Sequence, residues 1–433
     1  MKKRHLFLFV LTTLLLMGNV KGQEYSAFLG TYVGGSWSGL KNQYSIIREI
    51  DSTSRMVFTY YEGVMIFSLY NDGSPNVINY ETGGTYPTSF IYDFEILDDT
   101  VYYCGQRDGN ALVGKFCYTS APSVTFQEYI SNPALQLLKF DRLDVYKNNG
   151  EIRLVLVGSY HDGVSCIAEV KNNGPTLYIA KPVDTREVFD DVAVTDGYIV
   201  TASRLPVCST GYYRLFKKPM VGTDMFTYNL VNTNVPHAID FQVNDKLILE
   251  HCEGDYFAVA VRSSDGSGTL IGAYDPLGYS AKVKVFSNDD EYTPVDIKYD
   301  RWIQQLHLLQ RSRYNESYVS HINSTMASGF GLVMGHHYSD YNLFSIDRVS
   351  ASAGMVIATG RPNMSSYPPI TWVYKLNAAM WGSCTEKKEM KYEQPKDFNP
   401  CILETGLNFS LIISDYEGKD DITIDYYKTM FCE

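Results

Sequence analysis

The stretch YDFEILDDTVYYCGQR (92–107) begins with an acid at Asp93, alternates apolar residues, turns at Asp98-Asp99 and ends on Arg107. The same outline returns in FDDVAVTDGYIVTASR (189–204), VDIKYDRWIQQLHLLQR (295–311) and IDRVSASAGMVIATGR (346–361). Alternation on both sides of a short turn predicts a β-hairpin. The acid recurs as Asp93, Asp144, Asp191, Asp240, Asp296 and Asp347, at intervals of 51, 47, 49, 56 and 51 residues. The chain is a repeat.

Each unit continues with a third strand (ALVGKFCY, VSCIAEV, GTLIGAY, SYVSHI, ITWVYKL) and a looser fourth (VTFQEYI, TLYIA, FTYNLV, AKVKVF). Two further units lack the acid. YSIIREI, RMVFTYY, VMIFSLY and NVINY supply four strands at the front. PCILE, LNFSLIIS and DDITIDYY supply three at the back, and EYSAFLGTYV (24–33) is a spare strand at the opposite end.

Four-stranded units of about 50 residues resemble β-propeller blades, and a strand from one terminus completing the last blade is how such rings close. The resemblance implies an all-β fold of antiparallel blades, eight by this count and seven if the front unit is irregular. Residues 23–433 would then form one propeller domain. FLGTYVGGSWSG (28–39) is similar to the opening strand of lactonase propellers, although the later units do not carry that family's Pro- and Asn-rich repeats.

In a blade, the start of strand one lies beside the end of strand two. This predicts cross-strand ion pairs Asp93–Arg107, Asp191–Arg204, Asp240–Arg262, Asp296–Arg311 and Asp347–Arg361. Asp144 breaks the pattern, because His161 stands where its siblings have Arg. Loops on that same face carry His237 (VPHAID) and His336, His337 and Asp340 (MGHHYSDYN). Together with Asp144 and His161 they are the candidate ligand-face residues. A divalent-metal or general-base site is the sharper reading, but blades far apart on a ring need not bring these side chains together. The reading adopted is loop histidines and no cofactor. The acidic run SDYEGKDDITID (414–425) lacks calcium-loop spacing and reads as a hairpin turn.

Lys2, Lys3 and Arg4 precede an apolar run from Leu6 to Met17, with a small-residue site at Val20-Lys21-Gly22. This is the pattern of an export signal over residues 1–22. No later run reaches the roughly 18 apolar residues of a membrane helix. The expectation is a periplasmic, secreted or surface protein of bacterial type, so the sequons at Asn315, Asn323, Asn363 and Asn408 carry little meaning. The formal charge of −12 argues against a nucleic-acid partner, whose backbone needs a basic footprint. Eight cysteines permit disulfides: Cys104 with Cys117 across one hairpin, and a staple among Cys384, Cys401 and Cys432.

No G-x-S-x-G, H-E-x-x-H or P-loop occurs. Tyr supplies 35 residues, whose amphipathic rings suit sheet packing and polar partners alike. The expected role is a binding module for a glycan or an envelope or extracellular protein. The alternative is a hydrolase or lyase acting on carbohydrate or lactone at the channel mouth.

Overall fold

A computed structural model describes strands between Ser26 and Thr429, with side chains chiefly within 91–117, 134–171, 178–220, 247–271 and 292–323. The described strands fall into eight antiparallel sheets. Sheet one comprises Ile47–Glu49, Met56–Tyr60, Gly63–Leu69 and Pro75–Glu81. Sheet two follows with Ser89–Leu97, Thr100–Arg107, Asn110–Cys117 and Gln127–Ile130. Sheet three has Leu137–Asn148, Glu151–Tyr160, Ser165–Lys171 and Leu177–Ala180. Sheet four has Val188–Val194, Tyr198–Val207, Thr210–Pro219 and Asn229–Leu230, with Ala238–Ile239 added to its third strand.

Sheet five runs through Ile248–His251, Phe257–Arg262, Gly268–Tyr274 and Lys284–Ser287. Sheet six has Thr293–Asp300, Gln305–Arg311, Ser317–Asn323 and Gly331–Tyr338. Sheet seven has Tyr341–Arg348, Met355–Pro362, Trp372–Asn377 and Glu386–Glu389. In sheet eight, Cys401–Glu404, Phe409–Tyr416 and Lys419–Thr429 are joined by Ser26–Val33, which pairs antiparallel with the last strand. The first strands of sheets two to eight touch in succession, and Cys401–Glu404 touches Ile47–Glu49. The acidic run at 414–425 spans the hairpin of sheet eight.

The turns explain part of the repeat. Asp108 and Gly109 have φ of 49° and 74°, and Asn149 and Gly150 have φ of 50° and 81°. Two successive left-handed residues make the hairpin turn whose twist matches its strands, and Asn, Asp and Gly adopt it at least cost.

The core lies between sheets. Along IRLVLVG, Leu154 and Leu156 pack with Tyr102, Cys104 and Val113 of sheet two. Val155 and Val157 point the other way, onto Phe189, Val192 and Ile199 of sheet four. Strand alternation thus sends neighbouring residues into two different cores, which is why Leu154, Val155, Leu156 and Val157 are apolar in succession. The pattern repeats between sheets four and five (Val200, Leu215, Leu249, Phe257) and between five and six (Ala260, Ile271, Leu308, Ile322). Each such Leu, Ile, Val or Phe contributes about 1.5–3 kcal/mol on burial.

Three expectations are corrected here. Cys104 faces Val113 and Cys117 faces Thr100 across their hairpin, and neither forms a disulfide, nor does Cys166 or Cys252. Four residue pairs separate the two cysteines along the strands, too far for a bridge. A staple among Cys384, Cys401 and Cys432 lies outside the described residues. The first strand of sheet five is Ile248–His251, so its acid is Glu250; Ala238–Ile239 belongs to sheet four, and Asp240 itself lies outside the described residues.

The third correction concerns the ion pairs. Asp93 stands opposite Cys104 and Arg107 opposite Ser89. Asp296 stands opposite Leu309 and Arg311 opposite Thr293; Asp347 stands opposite Ile357 and Arg361 opposite Asn342, and the side chains of that pair lie outside the described residues. A bulge in each first strand, between Ile91 and Asp93, Phe189 and Asp191, Pro294 and Asp296, and Leu343 and Ser345, shifts the register. Arg204 does hold a carboxylate, but it is that of Asp190 within the bulge, gripped by both Nε and Nη2. Asp191 stands opposite Ala202 instead.

Candidate functional site: an axial cavity lined by interlocked carboxylates

The recurring acid has a different partner from the one its spacing suggests. Asp93 accepts the N–H of its own neighbour Phe94 at 3.0 Å and that of Leu143, in the next sheet, at 2.9 Å. Asp144 does the same with Val145 (2.7 Å) and Val194 (2.6 Å). Asp191 takes Val192 (3.0 Å) and Leu249 (3.0 Å), and Asp296 takes Ile297 (2.9 Å) and Ile346 (3.1 Å). In sheet five Glu250 accepts the N–H of Tyr299 at 2.9 Å.

First strands of neighbouring sheets touch but belong to separate sheets, so no backbone ladder joins them. A carboxylate spanning the gap satisfies backbone donors that would otherwise be buried without partners. The acids are staples between blades.

The staples stand at two heights. In sheets two, four and six the acid directly follows the bulge, as Asp93, Asp191 and Asp296. In sheet three Arg142 takes that place and Asp144 stands two residues on, bonding a backbone group two residues further along the next strand. The exchange puts one guanidinium among the acids, 3.8 Å from Asp191.

These residues line a cavity of about 350 Å³. Its acids are Asp93, Glu95, Asp144, Asp191, Glu250 and Asp296; Arg142, Lys298 and His251 face them, with Leu143, Val192, Ala193, Ile248, Leu249 and Ile297 between. Lys298 Nζ lies 3.6 Å from Asp296, and His251 Nε2 is 2.8 Å from the carbonyl of Gly254.

The excess of acid shapes the charges. Burial, reinforced by Glu95 and only partly offset by the N–H groups of Val194 and Val145, pushes the Asp144 carboxyl well above the usual range. Asp191 is pushed up to about 6, again chiefly by burial, against the opposing pull of Arg142 and the Leu249 N–H. For Arg142, burial disfavours the charge, but Asp191, Asp93 and Asp141 outweigh it and raise its pKa.

Of the predicted ligand-face residues, Asp144 alone is placed on this cavity. His161 is exposed in the turn after Tyr160, donating its backbone N–H to Gln136 O at 3.0 Å, and is not the partner of Asp144. His336 and His337 sit in Gly331–Tyr338, the fourth strand of sheet six, opposite Val319 and Tyr318, away from the first strands that form the cavity. His237 and Asp340 lie outside the described residues. Among the described residues, no three His, Cys, Asp or Glu side chains gather as a metal-binding set. Sequence reasoning missed Glu95, Arg142, Glu250, His251 and Lys298. Arg142 was the readable one, because FDRLDV puts a cation where FDDVAV has an acid.

The chain matches no family model and no curated protein. Solved structures resemble it. Chaetomium thermophilum Sqt1 aligns at 11% identity and a TM-score of 0.53, over 91% of this chain and 98% of that one. A prolyl endopeptidase studied for inter-domain dynamics in catalysis aligns at 10% identity and a TM-score of 0.50, over 87% of this chain and 55% of that one. The chain therefore spans about 55% of the length of that peptidase. The β-propeller domain of the Trilobed protease from Pyrococcus furiosus aligns at 7% identity and a TM-score of 0.45, over 81% of this chain and 100% of that domain. At such identities likeness concerns the fold alone, and the fold is that of a β-propeller.

Proposed function

We propose that the chain is a non-enzymatic binding propeller, exported to the periplasm, the medium or the cell surface after cleavage near Gly22. Its ligand, a glycan or an envelope or extracellular protein, meets the axial cavity and its mouth. One observation carries this reading: the cavity carboxylates of Asp93, Asp144, Asp191 and Asp296 each hold two backbone N–H groups. Acids so engaged are fixed in place and serve as rigid acceptors, whereas a nucleophile or base must be able to change its bonds during reaction. A rigid polar concavity with a guanidinium at its wall suits the hydroxyl groups of a sugar or the polar side chains of a loop.

Glycan-array binding of the mature chain, followed by calorimetric titration of Arg142→Met, tests the proposal. Loss of at least tenfold in affinity is expected in protein that remains folded. Binding that ignores Arg142→Met would move the ligand away from the cavity, and no glycan ligand at all would leave a protein partner. N-terminal sequencing of exported material should begin at Gln23.

A second reading, a hydrolase or lyase on carbohydrate or lactone, is favoured by the carboxyl of Asp191, pushed up to about 6, and by that of Asp144, raised in the same direction, since an acid held above the usual carboxylate range is what proton transfer needs. Turnover of such a substrate by the purified chain, abolished in Asp191→Asn, would establish it.

A further inference from the structure

Sheet six buries polar groups that its strands do not account for. His307 and His321 face each other across Gln305–Arg311 and Ser317–Asn323, both 0% exposed, with their Nδ1 atoms 2.7 Å apart. Asp300 is 1% exposed, and its Oδ2 lies 3.8 Å from His307 Nε2. Gln305 stands directly opposite Asp300, two residues before His307 and hence on the same face of the sheet. His307 Nε2 and Gln305 Oε1 are buried without a hydrogen-bond partner.

Buried imidazole and amide atoms left this way cost about 1–3 kcal/mol each unless something occupies the space between them. The distance limits what that can be. At 3.8 Å, Asp300 and His307 are too far apart for a hydrogen bond. A water bonding both at about 2.8 Å would hold them at an angle of roughly 85°, cramped for its lone pairs and protons. A cation takes N and O donors at about 2.0–2.2 Å, so two donors sharing it stand up to about 4.2 Å apart. The observed distance fits a shared ion, and the charge of a buried carboxylate favours one.

We propose that Asp300, Gln305 and His307 form a divalent-cation site in sheet six, with His321 as its positioning residue. For His307 Nε2 to offer a lone pair, the ring proton must sit on Nδ1, where it is donated to Nδ1 of His321. A ligating imidazole commonly gives its second N–H to such a partner, which fixes both tautomer and ring orientation. The third donor is an amide oxygen, so a set defined by His, Cys, Asp and Glu alone does not include it. Mixed N and O donors suit zinc, manganese or cobalt over calcium. The site is separate from the axial cavity and independent of the proposed binding role.

The test uses Co²⁺ as the probe on the full mature chain after chelator treatment. One Co²⁺ per chain is expected, with visible d–d absorption and a raised melting temperature. Gln305→Leu and His307→Ala should each weaken binding at least tenfold, and His321→Phe by about 10–100-fold. Gln305→Leu, at a half-buried position, keeps the test valid if His307→Ala does not fold. Folded protein that takes up no Co²⁺ overturns the proposal. So does uptake unchanged in Gln305→Leu and His307→Ala, or uptake abolished by Asp144→Asn, which would assign the ion to the axial acids.

Discussion

Asp93 Oδ2 accepts the backbone N–H of Leu143 at 2.9 Å, fifty residues along the chain and one blade further round. The bond ties sheet two to sheet three at the axis, and its counterparts at Asp144, Asp191 and Asp296 repeat it. Asp93→Ala leaves the N–H groups of Leu143 and Phe94 without this acceptor, at about 1–3 kcal/mol each, so a loss of about 2–6 kcal/mol is expected. Asp93→Asn keeps one acceptor oxygen and should lose about half as much. Thermal and urea unfolding of both variants check this; an unchanged stability in Asp93→Asn would show that the carboxylate matters only as volume.

Arg204 and Asp190 form the pair to which the ion-pair idea does apply. Both side chains are buried, at 5% and 4% exposure, and two guanidinium nitrogens reach the carboxylate. Removing one member strands the other charge, so Arg204→Met should cost about 3–5 kcal/mol. Arg204→Met with Asp190→Leu should recover much of that loss. A double variant as unstable as the sum of the single changes would mean the pair is not coupled.

The fold was legible because its evidence is local. Alternating residues, two-residue turns at Asp108-Gly109 and Asn149-Gly150, and a spacing near 50 residues are all readable along one unit. The site was less so, because each staple joins residues about fifty apart, and sequence spacing displays only the partner within a hairpin. A carboxylate with an Arg fourteen residues later invites an ion pair, yet a one-residue bulge such as that at Tyr92 rotates the register and hands Asp93 to a backbone amide next door. Glu250 was hidden for another reason: its strand, Ile248–His251, is four residues long and its acid is not an Asp. His307 and His321 drew no notice because neither departs from the apolar rhythm around it.

Gly158 marks how closely the first two strands of sheet three approach. A Cβ there would lie 2.3 Å from the carbonyl oxygen of Lys139 and 2.7 Å from the Phe140 ring, beside the bulge of that strand. Backbone cannot withdraw as a flexible side chain can. Gly158→Ala should therefore destabilise by about 1–3 kcal/mol. An unchanged melting temperature would show that the strand shifts freely.

The axial acids also set the pH dependence of stability. Asp191 titrates near 6 in the folded chain, while in the unfolded chain it returns to the usual carboxylate value near 4. The folded state therefore binds its proton more tightly, and folding is opposed once that proton must leave. This penalty is absent below about pH 4, grows as pH rises through the interval, and is complete above about pH 6, where two units correspond to roughly 3 kcal/mol. Asp144, raised by burial and by Glu95, acts in the same direction. Asp191→Asn removes its share of the penalty while giving up one oxygen, so melting temperature plotted against pH should fall less steeply between 4 and 6 than in the parent. A ligand that brings positive charge into the cavity should flatten the same slope, because it steadies both carboxylates in their charged form. If Asp191→Asn leaves the slope unchanged, the excess acid of the cavity is already neutralised by groups other than Arg142.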